Sequence, residues 1–90
     1  MIRGKSYRAT ATDIAEGYVT VNPLFLKPLG AETLKALYQE VLKIQGEARG
    51  EKFPHSNAQG IRLRNLKLQR LQSAMTVIRN FARERRIPIA

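Results

Sequence analysis

The sequence predicts a mainly α fold: a small N-terminal β-hairpin or extended arm, followed by an antiparallel helical hairpin whose second helix is long and basic. Three observations carry this expectation. Apolar residues recur with helical spacing over 31–46, and the stretch 56–86 keeps that spacing without a proline, whereas the residues before 30 alternate and favour extended backbone. Ninety residues are expected to form one domain spanning 1–90, large enough for a modest core.

Residues 1–30 read as an extended or β-hairpin arm and a connector. Alternation in Ser6-Tyr7-Arg8-Ala9-Thr10-Ala11-Thr12 and the β-favouring run Tyr18-Val19-Thr20-Val21 suggest two short strands, with Asp13 to Gly17 as the turn between them. A competing reading makes Thr12 the cap of a short helix through Glu16. Beyond it, Asn22-Pro23, Pro28 and Gly30 punctuate an apolar connector, Leu24-Phe25-Leu26, that would pin the N-terminal part to the core.

Residues 31–46 read as a helix. Leu34, Leu37, Tyr38, Val41, Leu42 and Gln45 form one stripe opposite Lys35, Gln39 and Lys43, Glu32 suits the dipole at the first turn, and Gly46 offers a left-handed stop. Residues 47–55, with Gly, Pro, balanced charge and no period, read as a loop.

The long basic helix is expected over 56–86. Ser56 and Gln59 have capping-box spacing, and Gly60 falls early, where its cost is tolerable. Steps of about 100° place two apolar stripes on it. One contains Ile61, Leu68, Leu71, Met75, Ile78 and Ala82; the other contains Leu63, Leu66, Ala74, Val77 and Phe81. A single neighbouring helix covers one stripe; the N-terminal segment could cover the second, but the preferred expectation is another copy in a homodimer or higher oligomer, or a different partner, with Leu63, Leu66, Ala74, Val77 and Phe81 as the interface.

Charge points to the partner's chemistry. The formal net charge is +9 and the pI about 10.7. Eight of the 16 Lys and Arg (Arg62, Arg64, Lys67, Arg70, Arg79, Arg83, Arg85 and Arg86) lie in the long helix against one acid, Glu84. Arg62, Asn65, Gln69, Gln72, Ser73, Thr76, Arg79, Asn80 and Arg83 share its remaining face, and amides with guanidinium forks suit phosphate, ribose and base edges. Arg3, Lys5 and Arg8, with Tyr7 between them, form a second basic patch. The expected function is a non-catalytic nucleic-acid-binding protein, RNA or a ribonucleoprotein ahead of DNA, with those eight cations and the N-terminal three on phosphates. Six to eight such contacts imply a log-log salt slope of about −5 to −7 on duplex. The rival is an adaptor or assembly subunit docking an acidic protein; a basic amphipathic helix on a membrane surface is a third reading.

Other classes find little support. Cysteine is absent, one histidine, His55, stands without a positioned nucleophile, and the carboxylates show no ligand spacing, so neither catalysis nor a metal or other cofactor is expected. No phosphate loop occurs and no small-molecule substrate is implied. No leader or membrane-spanning run is visible, and a reducing, cytoplasmic setting is expected. Three Tyr, three Phe and no Trp argue against a surface built mainly to stack many bases.

Overall fold

The structure, a computed structural model, describes residues 1–50 and 58–89. They form four helices: α1 (Tyr7–Glu16), α2 (Pro23–Leu26), α3 (Ala31–Gly50) and α4 (Ala58–Glu84). The molecule is mainly helical, and no strand occurs among the described residues.

The first strand and the turn of the hairpin expected over residues 6–21 are instead the helix α1. Ser6 caps it, its hydroxyl accepting from the Ala9 N–H at 3.1 Å. Thr10 and Thr12 donate their hydroxyls to the carbonyls of Ser6 and Arg8, a local use of threonine compatible with helix. The alternating small residues therefore hide a helical stripe, Thr10, Ala11, Ile14 and Ala15, all buried. Gly17 is not a hairpin turn but the helix stop, at φ 86°, and Tyr18 N–H reaches back to the Asp13 carbonyl at 2.9 Å. Tyr18 to Val21 run outside any helix and have no ladder partner. A tight turn does occur earlier: Ile2 and Lys5 exchange backbone hydrogen bonds of 2.8 and 2.9 Å around Arg3 and Gly4, both at positive φ.

In the connector, Asn22 caps α2 by accepting from the Phe25 N–H at 2.8 Å, with Pro23 in the first turn. Leu26 is fully buried and pins this turn to the core, while Leu24 is 80% exposed.

α3 runs through both Gly46 and the start of the expected loop, ending at Gly50. Glycine at 46 costs about 1 kcal/mol in a helix interior. Burial of Ala48, and the capping of the final carbonyls from α4 described below, offset it. Leu34, Leu37, Tyr38, Val41 and Gln45 are buried as their spacing implies, but Leu42 lies 41% exposed at the stripe's edge. The rest of the expected loop, His55 and the Ser56 cap fall outside the described residues.

α4 is continuous over 27 residues, about 40 Å at 1.5 Å per residue, and fits the molecule's 45 Å longest dimension. It stops at Glu84 rather than Arg86. Ile87 N–H bonds to the Ala82 carbonyl at 2.8 Å and Arg86 N–H to the Arg83 carbonyl at 3.1 Å, with Arg86 at φ 58°. This is the same left-handed stop as at Gly17, made by a residue that has a Cβ.

α3 packs on α4, α1 on both, and α2 on α4. The core joins Leu26, Leu34, Leu37, Val41, Leu71 and Ile78, all fully buried, with Ile2, Val21 and Ile89 closing its margins.

Candidate nucleic-acid interface

The polar face of α4 follows its helical register. Arg62, Asn65, Gln69, Gln72, Ser73, Thr76, Arg79, Asn80 and Arg83 are all exposed. Within it, Gln72 accepts from the Gln45 amide at 3.2 Å, and Thr76 donates to the Gln72 carbonyl at 3.1 Å.

The eight cations expected on phosphates divide into two sets. In the first half of α4, three serve the protein itself. Arg64 donates to the carbonyls of Ala48 and Arg49 at 3.0 and 2.9 Å, closing the end of α3. Arg70 donates to the Ala15 carbonyl at 3.1 Å and lies against Gly17, closing the end of α1. Lys67 pairs with Glu16 at 3.5 Å, at that same end. Helix C-termini carry unsatisfied carbonyls and about half a negative charge, so cations are favourable there. These cations stand far from the end of α4, but at the ends of two other helices. Arg62 alone in this half is exposed without such a role.

Arg79, Arg83, Arg85 and Arg86 form the second set, at the C-terminal end of α4, each exposed. None pairs with a carboxylate among the described residues. Arg83 donates to Oδ1 of Asn80, and the Arg85 guanidinium lies 4.3 Å above the Phe81 ring. The dipole of α4 accounts for about half a charge at this end. Among the described residues, four guanidinia beside one carboxylate at this end, Glu84, therefore leave a local surplus of positive charge.

The N-terminal basic residues are held by internal partners. Lys5 pairs with Asp13 at 2.6 Å, Arg8 with Glu47 at 2.7 Å, and Arg3 lies 5.4 Å from the Phe25 ring centre. The Arg8 hydrogen bond, aided by its charge, holds the Glu47 carboxyl below its ordinary range, and Glu47 in turn raises Arg8. Tyr7 packs against the core rather than standing free for a base.

The expected interface residues also divide. Ala74 and Phe81 are buried in this chain's own core and Val77 packs half-buried against it, so they offer a partner little or nothing. Leu63 and Leu66 are 54% and 37% exposed, near Ile61 at 41%. The second stripe is thus sealed in its later half and open in its first.

Two of the concavities beside α4 bear on the candidate site. One, of about 400 Å³, has Ile14, Val19, Val21, Leu66 and Ala74 along its wall with Arg70 and Gln69. The other, of about 600 Å³, sits at the Arg-rich end, between Thr76, Arg79, Asn80 and Arg83 on one side and Ile87, Pro88 and Ile89 on the other. Its apolar side was not visible as a site in the sequence; the signal was the apolar Ile87-Pro88-Ile89 run after a left-handed stop. No helix of the described residues is long and apolar enough to cross a membrane, and no group of His, Cys, Asp and Glu suited to a metal occurs among them. No family model, curated protein or solved structure matches the chain.

Proposed function

We propose that this protein is a non-catalytic nucleic-acid-binding module that uses the exposed polar face of α4 and its C-terminal arginines, with RNA favoured over DNA. The observation that carries the reading is the cluster of Arg79, Arg83, Arg85 and Arg86, exposed and without a carboxylate partner among the described residues, where three other cations of the helix are occupied internally. Amide and hydroxyl groups running from the cluster toward Arg62 suit ribose and base edges. In this reading α3 and α4 form an antiparallel hairpin. Contacts from Gln45 to Gln72 and from Ala48 and Arg49 to Arg64, which run in opposite chain directions, support it.

Four cations on phosphate, rather than the six to eight expected at first, give a log-log salt slope of about −4 on duplex and about −3 on single strands. Titration of RNA and DNA across salt tests this. Arg79→Ala and Arg83→Ala are each expected to shrink the slope by about 1 on duplex. Arg64→Ala and Arg70→Ala are expected to lower the melting temperature without changing the slope. Absence of binding at low salt, or an equal effect of all four variants on the slope, refutes the reading.

A second reading is favoured by one observation, the open apolar start of the second stripe. Leu63 and Leu66 are exposed beside Ile61 and suit a second copy of the chain or an acidic protein with an apolar contact surface. Sedimentation tests the first case: a monomer at micromolar concentration removes self-association. Leu66→Asp is expected to dissociate the complex while leaving nucleic-acid affinity unchanged.

A further inference from the structure

The groove at the end of α4 has two walls of opposite character. Arg79, Asn80 and Arg83 line one, and Ile87 and Pro88 the other. Hydrogen bonding already present decides what the polar wall offers. Asn80 uses its Oδ1 to accept from Arg83, which leaves its amide N–H groups for a ligand. Arg79 makes no hydrogen bond or ion pair among the described residues, so its full fork is available. The hydroxyl proton of Thr76 is committed to the Gln72 carbonyl. The wall is therefore almost wholly a donor surface carrying two positive charges. It asks for a ligand rich in acceptor oxygens and negative charge, which describes a phosphodiester.

The facing wall asks for something else. Pro88 is exposed and has no N–H, and Ile87 is half-buried, so between them they present hydrocarbon. That wall is fixed in place: the Ile87 N–H is bonded to the Ala82 carbonyl at 2.8 Å, and Ile89 is 8% exposed and packed into the core. A volume of about 600 Å³ lies within the range of roughly 300–1,000 Å³ usual for small-ligand clefts. A nucleotide carries an anion at one end and a flat, weakly polar base face at the other, matching the two walls in order.

We propose that this groove holds one unpaired nucleotide, with its phosphate on Arg79 and Arg83 and its base against Ile87 and Pro88, so that the protein prefers single-stranded to duplex nucleic acid. The inference rests on the nucleic-acid reading above and adds the strandedness of the substrate. In a duplex both faces of each internal base are stacked on neighbours, and no face is free to enter a concave site. An unpaired base gives up little to do so. An acidic peptide satisfies the donor wall equally well, but only one with an aromatic side chain beside its carboxylates would also meet the apolar wall, whereas every nucleotide carries both groups.

Fluorescence anisotropy on the full chain, with a short single-stranded oligouridylate and a duplex RNA at one salt concentration, decides the matter. The single strand is expected to bind about five- to tenfold more tightly. Pro88→Ser, at an exposed position, is expected to remove that preference and leave duplex affinity unchanged. A second measurement needs no variant: uridine 5′-monophosphate is expected to shift the backbone NMR signals of residues 79–89 where inorganic phosphate shifts only those around Arg79 and Arg83. Equal affinity for both strands, or an unaltered preference in Pro88→Ser, overturns the groove assignment and leaves the nucleic-acid reading standing. A polyglutamate peptide that displaces the single strand at lower concentration than unlabelled oligonucleotide also overturns the assignment. Failure to bind any nucleic acid removes both.

Discussion

Replacing Gly17 with alanine probes the long-range contact between Arg70 and the end of α1. Gly17 closes α1 at φ 86°, where a Cβ costs about 1 kcal/mol. An alanine Cβ there would also stand 2.9 Å from Cζ of Arg70. The guanidinium is the far end of a flexible chain and moves aside without steric cost, but in moving it abandons the Ala15 carbonyl, 3.1 Å away. A charged donor that is itself exposed to solvent contributes about 1 kcal/mol through such a part-buried hydrogen bond. The substitution is therefore expected to cost about 2 kcal/mol in the native protein, a fall in melting temperature of about 8 to 16 °C for a domain of this size. With Arg70→Ala already present the second contribution has gone, and Gly17→Ala should cost only the backbone strain of about 1 kcal/mol. Urea denaturation of the four proteins in this double-mutant cycle measures the difference directly. An identical cost of Gly17→Ala in both backgrounds refutes the coupling, and with it the claim that Arg70 is a structural cap rather than a phosphate contact.

Other outcomes follow from the same geometry. Arg86 occupies the left-handed position that ends α4 at φ 58°, so Arg86→Gly should relieve about 1 kcal/mol and raise the melting temperature by about 4 to 8 °C while weakening nucleic-acid binding; no rise on calorimetry refutes the strain argument. Glu47 is held below its ordinary range by Arg8, so its share of stability is present above about pH 4.5 and is lost as pH falls through the lowered value. Thermal melts of the native protein and Glu47→Gln should accordingly converge on acidification, the effect being small because both side chains are solvated; parallel curves would count against the pair. Leu71→Ala, at a fully buried site, should cost about 3 kcal/mol, against less than about 0.5 kcal/mol for Leu63→Ala on the open flank. Equal costs in denaturant would mean that residue 63 is covered in solution, as self-association requires.

Helical spacing made α3 and α4 legible because both bury apolar residues at that spacing in the same core, and buried leucines at 34, 37 and 71 follow it directly. It failed before residue 30 because Ser6-Tyr7-Arg8-Ala9-Thr10-Ala11-Thr12 alternates in polarity only superficially. Alanine and threonine are small enough to sit on a helix face, and Ser6 supplied the cap. Gly46 reads as a stop in the sequence because nothing local distinguishes a tolerated helix glycine from a terminal one; the cap at the true end comes from Arg64, in another helix. The candidate site shows the same division. Exposure of the α4 polar face was legible from its angular placement. The internal employment of Arg70 was not, because its carbonyl partner lies 55 residues away.

Those reaches from Arg64 and Arg70 impose an order on the emerging chain. During synthesis the first fifty residues appear with the carbonyls of Ala15, Ala48 and Arg49 still lacking their arginine partners and with Leu34, Leu37 and Val41 not yet covered by α4, since the side chains that finish them are made afterwards. The early segments hold together only once the final third arrives to lock them. A chain released before residue 64 would thus expose Leu34, Leu37 and Val41 as a greasy, unfinished surface, and one cut short within α4 is expected to be degraded rather than persist as a smaller stable protein.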